Sequence, residues 1–172
     1  MNTIIIFFFS AMAIRLISLF KSASNEKRLI QKNAIEYGKK NSKALILVHS
    51  LFYISCLAEA ILSDKSANYI SFIGFGLFVF SMIMLWMVIF SLKDIWTVKL
   101  YIARDQKVNK SFIFKYFRHP NYFLNILPEL VSIALICQAW YTLLVGLPLY
   151  IIPLTIRIVQ EEKLMKMHFT DY

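Results

Sequence analysis

The sequence is poor in charged residues and in residues that break helices. Asp, Glu, Lys and Arg make up only 17% of its 172 residues, and it contains four Gly and four Pro. In contrast, 59% of the residues are hydrophobic, and 15 of them are Phe. A soluble domain of this length would have too few polar side chains to cover that much apolar surface. We therefore predict one membrane domain over residues 1–172, with an all-α polytopic fold because apolar segments cross a bilayer as helices.

Several catalytic motifs are also missing from the sequence. It has no Gly-rich phosphate loop, no cluster of metal ligands and no Ser-His-Asp set, so it gives no support to bound-metal hydrolysis or covalent catalysis. The two cysteines, Cys56 and Cys137, lie in apolar stretches without the spacing of a metal site or redox pair. We interpret both as small buried hydrophobic residues.

Five apolar segments are candidates for membrane helices, each of which needs about 20 residues to cross a bilayer. They cover residues 4–20, 44–62, 69–92, 122–137 and 140–156. The last two are separated by a very short break and contain Pro128, Pro148 and Pro153, which predicts a tight helical hairpin whose arms either span or only dip in. The first resembles a signal peptide at Ala11–Ala13, but no Lys or Arg precedes it and a basic cluster follows, so we predict a retained helix.

Basic residues alternate between the two ends of these segments. The net charge is +9, and 17 of the 19 Lys and Arg residues fall in residues 21–43, in residues 93–118 or in the C-terminal tail. The opposite loops contain only Lys65, and Arg15 lies in the first segment, from which it is expected to extend toward the basic side. The pattern predicts an outside N-terminus and a cytoplasmic C-terminus. It also favours anionic membrane lipids, rather than nucleic acid, as the partner of the positive charge.

A hairpin of the last two segments would bring polar residues together at its cytoplasmic ends. Those residues are Arg118, His119, Tyr122, Arg157, Glu161 and Glu162. Arg157 and Glu161 are four residues apart and share a helix face, which also fits an ordinary surface salt bridge. Taken singly, His119, Asn121 and Tyr122 also fit ordinary residues of the membrane interface.

Two further acidic residues lie within the apolar segments, where a charge is costly. Glu59 is near the outer end of its segment and is expected to reach water. Glu129 is expected to face other helices, either as a functional group or as a hydrogen-bonded packing residue. His49 is interpreted as structural.

The stretch WTVKLYIARDQKVNKSFIFKYFRHPNY, followed by RIVQEEKLMKMHF, resembles the isoprenylcysteine carboxyl methyltransferase family. Members are small integral-membrane enzymes that use S-adenosylmethionine. The resemblance covers residues 96–172 and is strongest to bacterial members, which implies the bacterial inner membrane. Phospholipid N-methyltransferases share a similar arrangement and remain an alternative, as does a non-enzymatic membrane scaffold.

The resemblance implies a role for each matching residue. His119, Pro120, Asn121 and Tyr122 match the element HPxY that contacts the cofactor, beside Arg118. Glu161 matches the acid that holds the cofactor, and Arg157 matches the arginine that meets the acceptor. The segment that lines the cofactor corresponds to Gln106, Lys107, Val108 and Asn109, and Phe114 stands where the family usually has Tyr. A Gly-x-Tyr element before HPxY and a Pro-Gly after the WTVK stretch are missing.

The chemistry of methyl transfer is compatible with these residue types. A carboxylate acceptor is already nucleophilic and needs a cation to hold it, which Arg157 would supply. A hydroxyl acceptor would need a proton acceptor, which could be His119 or Glu162. We therefore predict a methyltransferase that uses S-adenosylmethionine to methylate an oxygen of a lipophilic or prenylated acceptor.

Overall fold

Three long helices form the N-terminal part of the protein. The computed structural model describes residues 2–103 and 111–168. The long helices are α1 (Asn2–Gln31), α2 (Lys39–Leu62) and α3 (Tyr69–Leu92), and they contain the first three predicted segments. The side chain of Asn68 caps α3 by accepting hydrogen bonds from the backbone amides of Ile70 and Ser71.

The C-terminal part is the predicted helical hairpin. Its elements are the short helix α4 (Phe112–Tyr116), a π-helical segment (Asn121–Ile126) that continues as α5 (Leu127–Cys137), and a second π-helical segment (Thr142–Gly146) that continues as α6 (Leu147–His168). Gln138 ends α5 in the left-handed conformation, with φ of 52°, so the chain reverses within a few residues. Cys56 and Cys137 are both buried and unbridged, as predicted.

Within the described residues, four helices are long and apolar enough to cross a membrane: Asn2–Gln31, Lys39–Leu62, Tyr69–Ile95 and Thr142–His168. The helix that covers the fourth predicted segment, Asn121–Cys137, is apolar but shorter. The all-α polytopic membrane fold is confirmed. Departures from pure helix include two strands of three residues, β1 (Ile35–Tyr37) and β2 (Leu100–Ile102), which pair antiparallel with Glu36 opposite Tyr101.

Helices α3 and α5 pack closely around Gly74. A Cβ atom at this position would lie 2.7 Å from the backbone nitrogen of Ile136 and 2.9 Å from the carbonyl oxygen of Ser132. Because these are backbone atoms, they cannot rotate away from an added side chain. Small residues allow membrane helices to approach in this way.

At one end of the bundle, the loop between α2 and α3 meets the turn of the hairpin. The Glu59 carboxylate accepts hydrogen bonds from the amides of Tyr141 and Thr142, at 3.0 and 2.8 Å, and from the Thr142 hydroxyl. Gln138 donates to the carbonyl oxygen of Ser66 at 2.6 Å. Glu59 therefore caps the last helix at this end of the bundle.

At the other end of the bundle, residues 93–102 form a segment that we call the strap, which is hydrogen-bonded to α1. The Asn25 side chain of α1 donates to the carbonyl oxygens of Lys93 and Trp96, at 2.9 and 2.8 Å. The Ser22 hydroxyl accepts from the Val98 amide at 2.9 Å. These bonds bring the two basic loops of the sequence to the same end of the bundle, as their alternation predicted.

Candidate active site

The two ends of the hairpin lie side by side at the strap end of the bundle. Tyr122, at the start of the first arm, donates its hydroxyl to Glu161 Oε2 at 2.5 Å. His119 lies between the two acids of α6, with Nδ1 3.7 Å from Glu161 Oε1 and Nε2 3.4 Å from Glu162 Oε1. The predicted convergence of the Arg-His-Pro corner with the Glu-Glu pair is present.

His119 is held by packing as well as by charge. Its ring stacks on Tyr122, with 5.7 Å between ring centroids and 24° between planes, and it is buried. Burial lowers the pKa of the His119 imidazole, but the hydrogen bonds and negative charges of Glu161 and Glu162 outweigh burial and raise it above its ordinary value. A larger share of His119 is therefore positively charged at neutral pH than for a free histidine.

The two carboxylates form the accessible side of the site. The side chains of Glu161 and Glu162 are 28% and 32% exposed, whereas that of His119 is 5% exposed. Arg118 is mostly exposed, and its Nη1 lies 4.0 Å from Glu162 Oε1. The site thus has two partly exposed carboxylates beside the buried rings of His119 and Tyr122, with the exposed guanidinium of Arg118 at its edge.

Arg157 lies inside the protein, not on its surface. It is 3% exposed, with Nη1 donating to the Ser42 hydroxyl at 2.8 Å and Nη2 donating to the Val98 carbonyl oxygen at 3.0 Å. Its Nε has no hydrogen-bond acceptor among the described residues. Within that part of the chain there is no ion pair between Arg157 and Glu161, although they share a helix face. Arg157 instead links α6 to α2 and to the strap.

The other predicted site residues are distributed around this centre. Pro120 is buried and immediately precedes the first π-helical segment, where its missing amide hydrogen costs nothing. Asn121 accepts a hydrogen bond from the Asn125 side chain at 3.3 Å. Phe114 is partly buried against the apolar core. The predicted segment Gln106, Lys107, Val108 and Asn109 lies outside the described residues.

A second polar cluster occupies the membrane interior, and sequence reasoning missed its connections. Glu129 Oε1 lies 3.0 Å from Arg15 Nε and accepts the Tyr53 hydroxyl at 2.6 Å. His49 Nε2 lies 3.9 Å from the same oxygen, and His49 Nδ1 lies 3.3 Å from the Tyr150 hydroxyl. Arg15 was expected to extend toward the basic side, but it pairs inward because Glu129 offers a buried countercharge. Two opposite charges within predicted membrane segments were the available signal.

An apolar groove of about 370 Å³ opens on a different part of the surface, between α1 and α3. Its lining includes Ile14, Phe78, Met82 and Trp86. None of the predicted site residues within the described chain lines it. We therefore place the candidate active site at the hairpin ends, where the titratable groups converge.

Comparisons with known proteins place the chain in a family. Residues 72–167, more than half of the chain, match the isoprenylcysteine carboxyl methyltransferase (ICMT) family. The chain belongs to this family. The match runs from within α3 to the end of α6 and includes the whole hairpin. This ICMT-family member is therefore a membrane methyltransferase.

Similar full-length proteins are known from two bacteria. A Haemophilus influenzae protein, named as uncharacterized, is 52% identical over 154 residues, which is 90% of each chain. The uncharacterized protein YpbQ of Bacillus subtilis is 29% identical over 143 residues, covering 83% of this ICMT-family chain and 84% of its own. No solved structure matches the chain.

Proposed function

We propose that this protein transfers the methyl group of S-adenosylmethionine to an oxygen of a lipophilic or prenylated acceptor, a carboxylate first and a hydroxyl second. The observation that carries the proposal is the junction of Tyr122, His119 and Glu161 at the ends of the hairpin. A methyltransferase that acts on a lipophilic acceptor needs a site that binds a charged nucleoside and is accessible from the membrane. The hairpin supplies charged groups at its ends and apolar helices along its length.

The residues present fit the charged parts of the cofactor. S-adenosylmethionine supplies a methyl group on a positively charged sulfur, and it also carries an ammonium, a carboxylate and ribose hydroxyls. We assign the partly exposed carboxylate of Glu161 to the ammonium or ribose hydroxyls. The positively charged form of His119, with Arg118 at the rim, suits the carboxylate. Pro120, Asn121, Tyr122 and Phe114 would shape the adjoining wall. The family resemblance also assigns Gln106, Lys107, Val108 and Asn109 to the cofactor.

The acceptor oxygen would approach from the membrane side of this site. Methyl transfer is an in-line displacement, so alignment of acceptor, methyl group and sulfur supplies most of the catalysis. We assign Arg157 to the acceptor because it lies one helical turn from Glu161 toward the membrane, and its Nε is free of any acceptor among the described residues. A hydroxyl acceptor would pass its proton to Glu162, because the raised pKa of His119 makes the imidazole a poorer acceptor at neutral pH.

We further propose that the site faces the cytoplasm, with the N-terminus outside, in a bacterial inner membrane. The support is that the site shares its end of the bundle with the two basic loops. An excess of Lys and Arg marks cytoplasmic loops, and it also attracts anionic lipids.

Cofactor binding to the purified full chain tests the assignment. We expect Glu161→Gln and His119→Ala each to weaken binding of S-adenosylhomocysteine by at least about tenfold, the effect of losing one hydrogen bond to a charged group. Asp94→Ala is the matched control, because this acid lies at the same end of the bundle and pairs with Arg28. Unchanged affinity in both site variants, measured by calorimetry on folded protein, would rule out this site.

The acceptor is then identified by its product. The protein is incubated with methyl-labelled S-adenosylmethionine and a total lipid extract, and the labelled lipid is treated with mild base. An ester releases its label, whereas an ether or a methylated amine retains it. Labelled phospholipid headgroups would favour the N-methyltransferase alternative over oxygen methylation.

A further inference from the structure

Two fully buried polar side chains on the first arm of the hairpin have acceptor atoms without donors. Asn125 and Glu129 are both 0% exposed. Asn125 Oδ1 and Glu129 Oε2 have no hydrogen-bond partner among the described residues. The two residues are four positions apart, which is about 6 Å along a helix axis. Orphaned acceptors of this kind are rare in folded proteins, and within a membrane they are expensive.

The two oxygens of Glu129 are used unequally. Oε1 takes both Arg15 Nε and the Tyr53 hydroxyl, with His49 Nε2 at 3.9 Å, whereas Oε2 takes none of them. Arg15 already balances the charge of the carboxylate. A group that binds Oε2 is therefore best neutral, because a second cation would add an uncompensated charge inside the membrane. A hydroxyl is a neutral donor that also has room to accept a bond.

The orphaned acceptors lie on the same arm as the candidate active site. Glu129 follows Tyr122 by seven residues, so it lies about 10 Å deeper along the helix axis. The cluster is not fully sealed, since the side chains of Arg15 and His49 are 11% and 21% exposed. Asn125 and Glu129 therefore lie deeper along the first arm than the hairpin ends, and both are buried between helices.

We propose that Asn125 and Glu129 form a subsite for a hydroxyl group on the apolar tail of the acceptor, with Glu129 about 10 Å deeper along the first arm than Tyr122 of the candidate active site. This inference rests on the proposed function, because the distance is measured from the site assigned to methyl transfer. The subsite selects acceptors that carry a second polar group part-way along their chain. The hydroxyl has a single proton and donates to one of the two acceptor atoms, whereas a wholly apolar tail donates to neither.

Three matched fatty acids test the subsite. Ten ångströms corresponds to about eight methylene groups, so 10-hydroxystearic acid places its hydroxyl near Glu129, whereas stearic acid has none and 3-hydroxystearic acid has it too close to the carboxylate. Binding is measured on the full chain in lipid nanodiscs with S-adenosylhomocysteine present. We expect 10-hydroxystearic acid to bind about three- to tenfold more tightly than either of the others, the effect of one hydrogen bond.

Substitutions test whether the preference for 10-hydroxystearic acid depends on the proposed subsite. Asn125→Leu removes one of the two acceptors without touching the Arg15–Glu129 pair, and it should weaken the preference while stearic acid still binds. Ser81→Ala is the control, because this buried hydroxyl is satisfied within its own helix by the Phe78 carbonyl oxygen at 2.8 Å. It should leave the preference intact.

Equal affinities of the unaltered protein for the three acids would overturn the subsite, whether or not Asn125→Leu folds. A preference that is undiminished in folded Asn125→Leu would overturn it as well. Failure of the proposed function appears differently, as a chain that does not bind S-adenosylhomocysteine at all.

Discussion

Replacing Arg15 by methionine would leave the Glu129 carboxylate without its cation in the membrane interior. The pair is nearly inaccessible, with side-chain exposures of 11% for Arg15 and 0% for Glu129, so solvent screens it little. Removing one partner of such a pair costs about 3–5 kcal/mol, because an uncompensated charge stays buried. The Tyr53 hydroxyl continues to donate to the carboxylate but carries no full charge.

A double substitution separates the charge from the packing. In Arg15→Met/Glu129→Gln the buried charge is removed, while the glutamine oxygen still accepts from Tyr53. We expect the double variant to lose less than half of the free energy of unfolding that the single Arg15→Met variant loses. The control is Arg28→Met, which breaks a surface pair with Asp94 at 2.8 Å and side-chain exposures of 56% and 58%. That pair should contribute at most about 1 kcal/mol.

The free energies are measured by titrating the protein in mixed micelles with dodecyl sulfate and following helix content by circular dichroism. The argument is wrong if Arg15→Met costs no more than Arg28→Met. It is also wrong if the double variant is as unstable as the single one, since the deficit would then come from lost packing.

Three further predictions use the same assay. Gly74→Ala should cost about 1–3 kcal/mol, because the added methyl group meets backbone atoms of α5, whereas Gly76→Ala, which has no neighbour within 4 Å, should not destabilise. Asn25→Leu should cost about 2 kcal/mol, because the Trp96 carbonyl loses the Asn25 donor and the Lys93 carbonyl keeps only the long bond from the Trp96 amide at 3.4 Å. A smaller effect than Arg28→Met would contradict this. The pKa of His119 is raised in the folded protein, so its contribution to the free energy of unfolding is fully present below its ordinary pKa and is lost as pH rises through the raised one. His119→Gln should therefore flatten the decline of the free energy of unfolding as pH rises above the ordinary histidine pKa of about 6.5, and an unchanged pH profile would count against the His119 contacts.

The convergence of the two hairpin ends was predictable because it depends only on local features. A break of a few residues between two apolar helices forces them antiparallel, and antiparallel neighbours bring their far ends together. Tyr122 and Glu161 meet for that reason. The position of the two basic loops at the same end of the bundle was predictable from the alternation of basic residues along the sequence.

The partners of the buried cations were not predictable in the same way. Arg157 has Glu161 one turn away on its own helix, yet its donors go to Ser42 and to the Val98 carbonyl oxygen. Arg15 can extend toward water or pair inward, and both solutions satisfy its charge. In each case the outcome depends on which distant segment packs against the helix, and helix periodicity carries no information about that.

Residues that precede the family match make stabilising contacts with the part of the chain that carries it. The match begins at residue 72, yet its buried carboxylate is neutralised by Arg15, the amides at the start of its last helix are capped by Glu59, and its strap is fastened by Asn25. A fragment that kept only the matching residues would lack the cation that pairs with Glu129, the acceptor of the Tyr141 and Thr142 amides, and the Asn25 donor to the Lys93 and Trp96 carbonyls. Substitutions in the first two helices are therefore expected to destabilise the part of the chain that carries the family match without changing a matched residue.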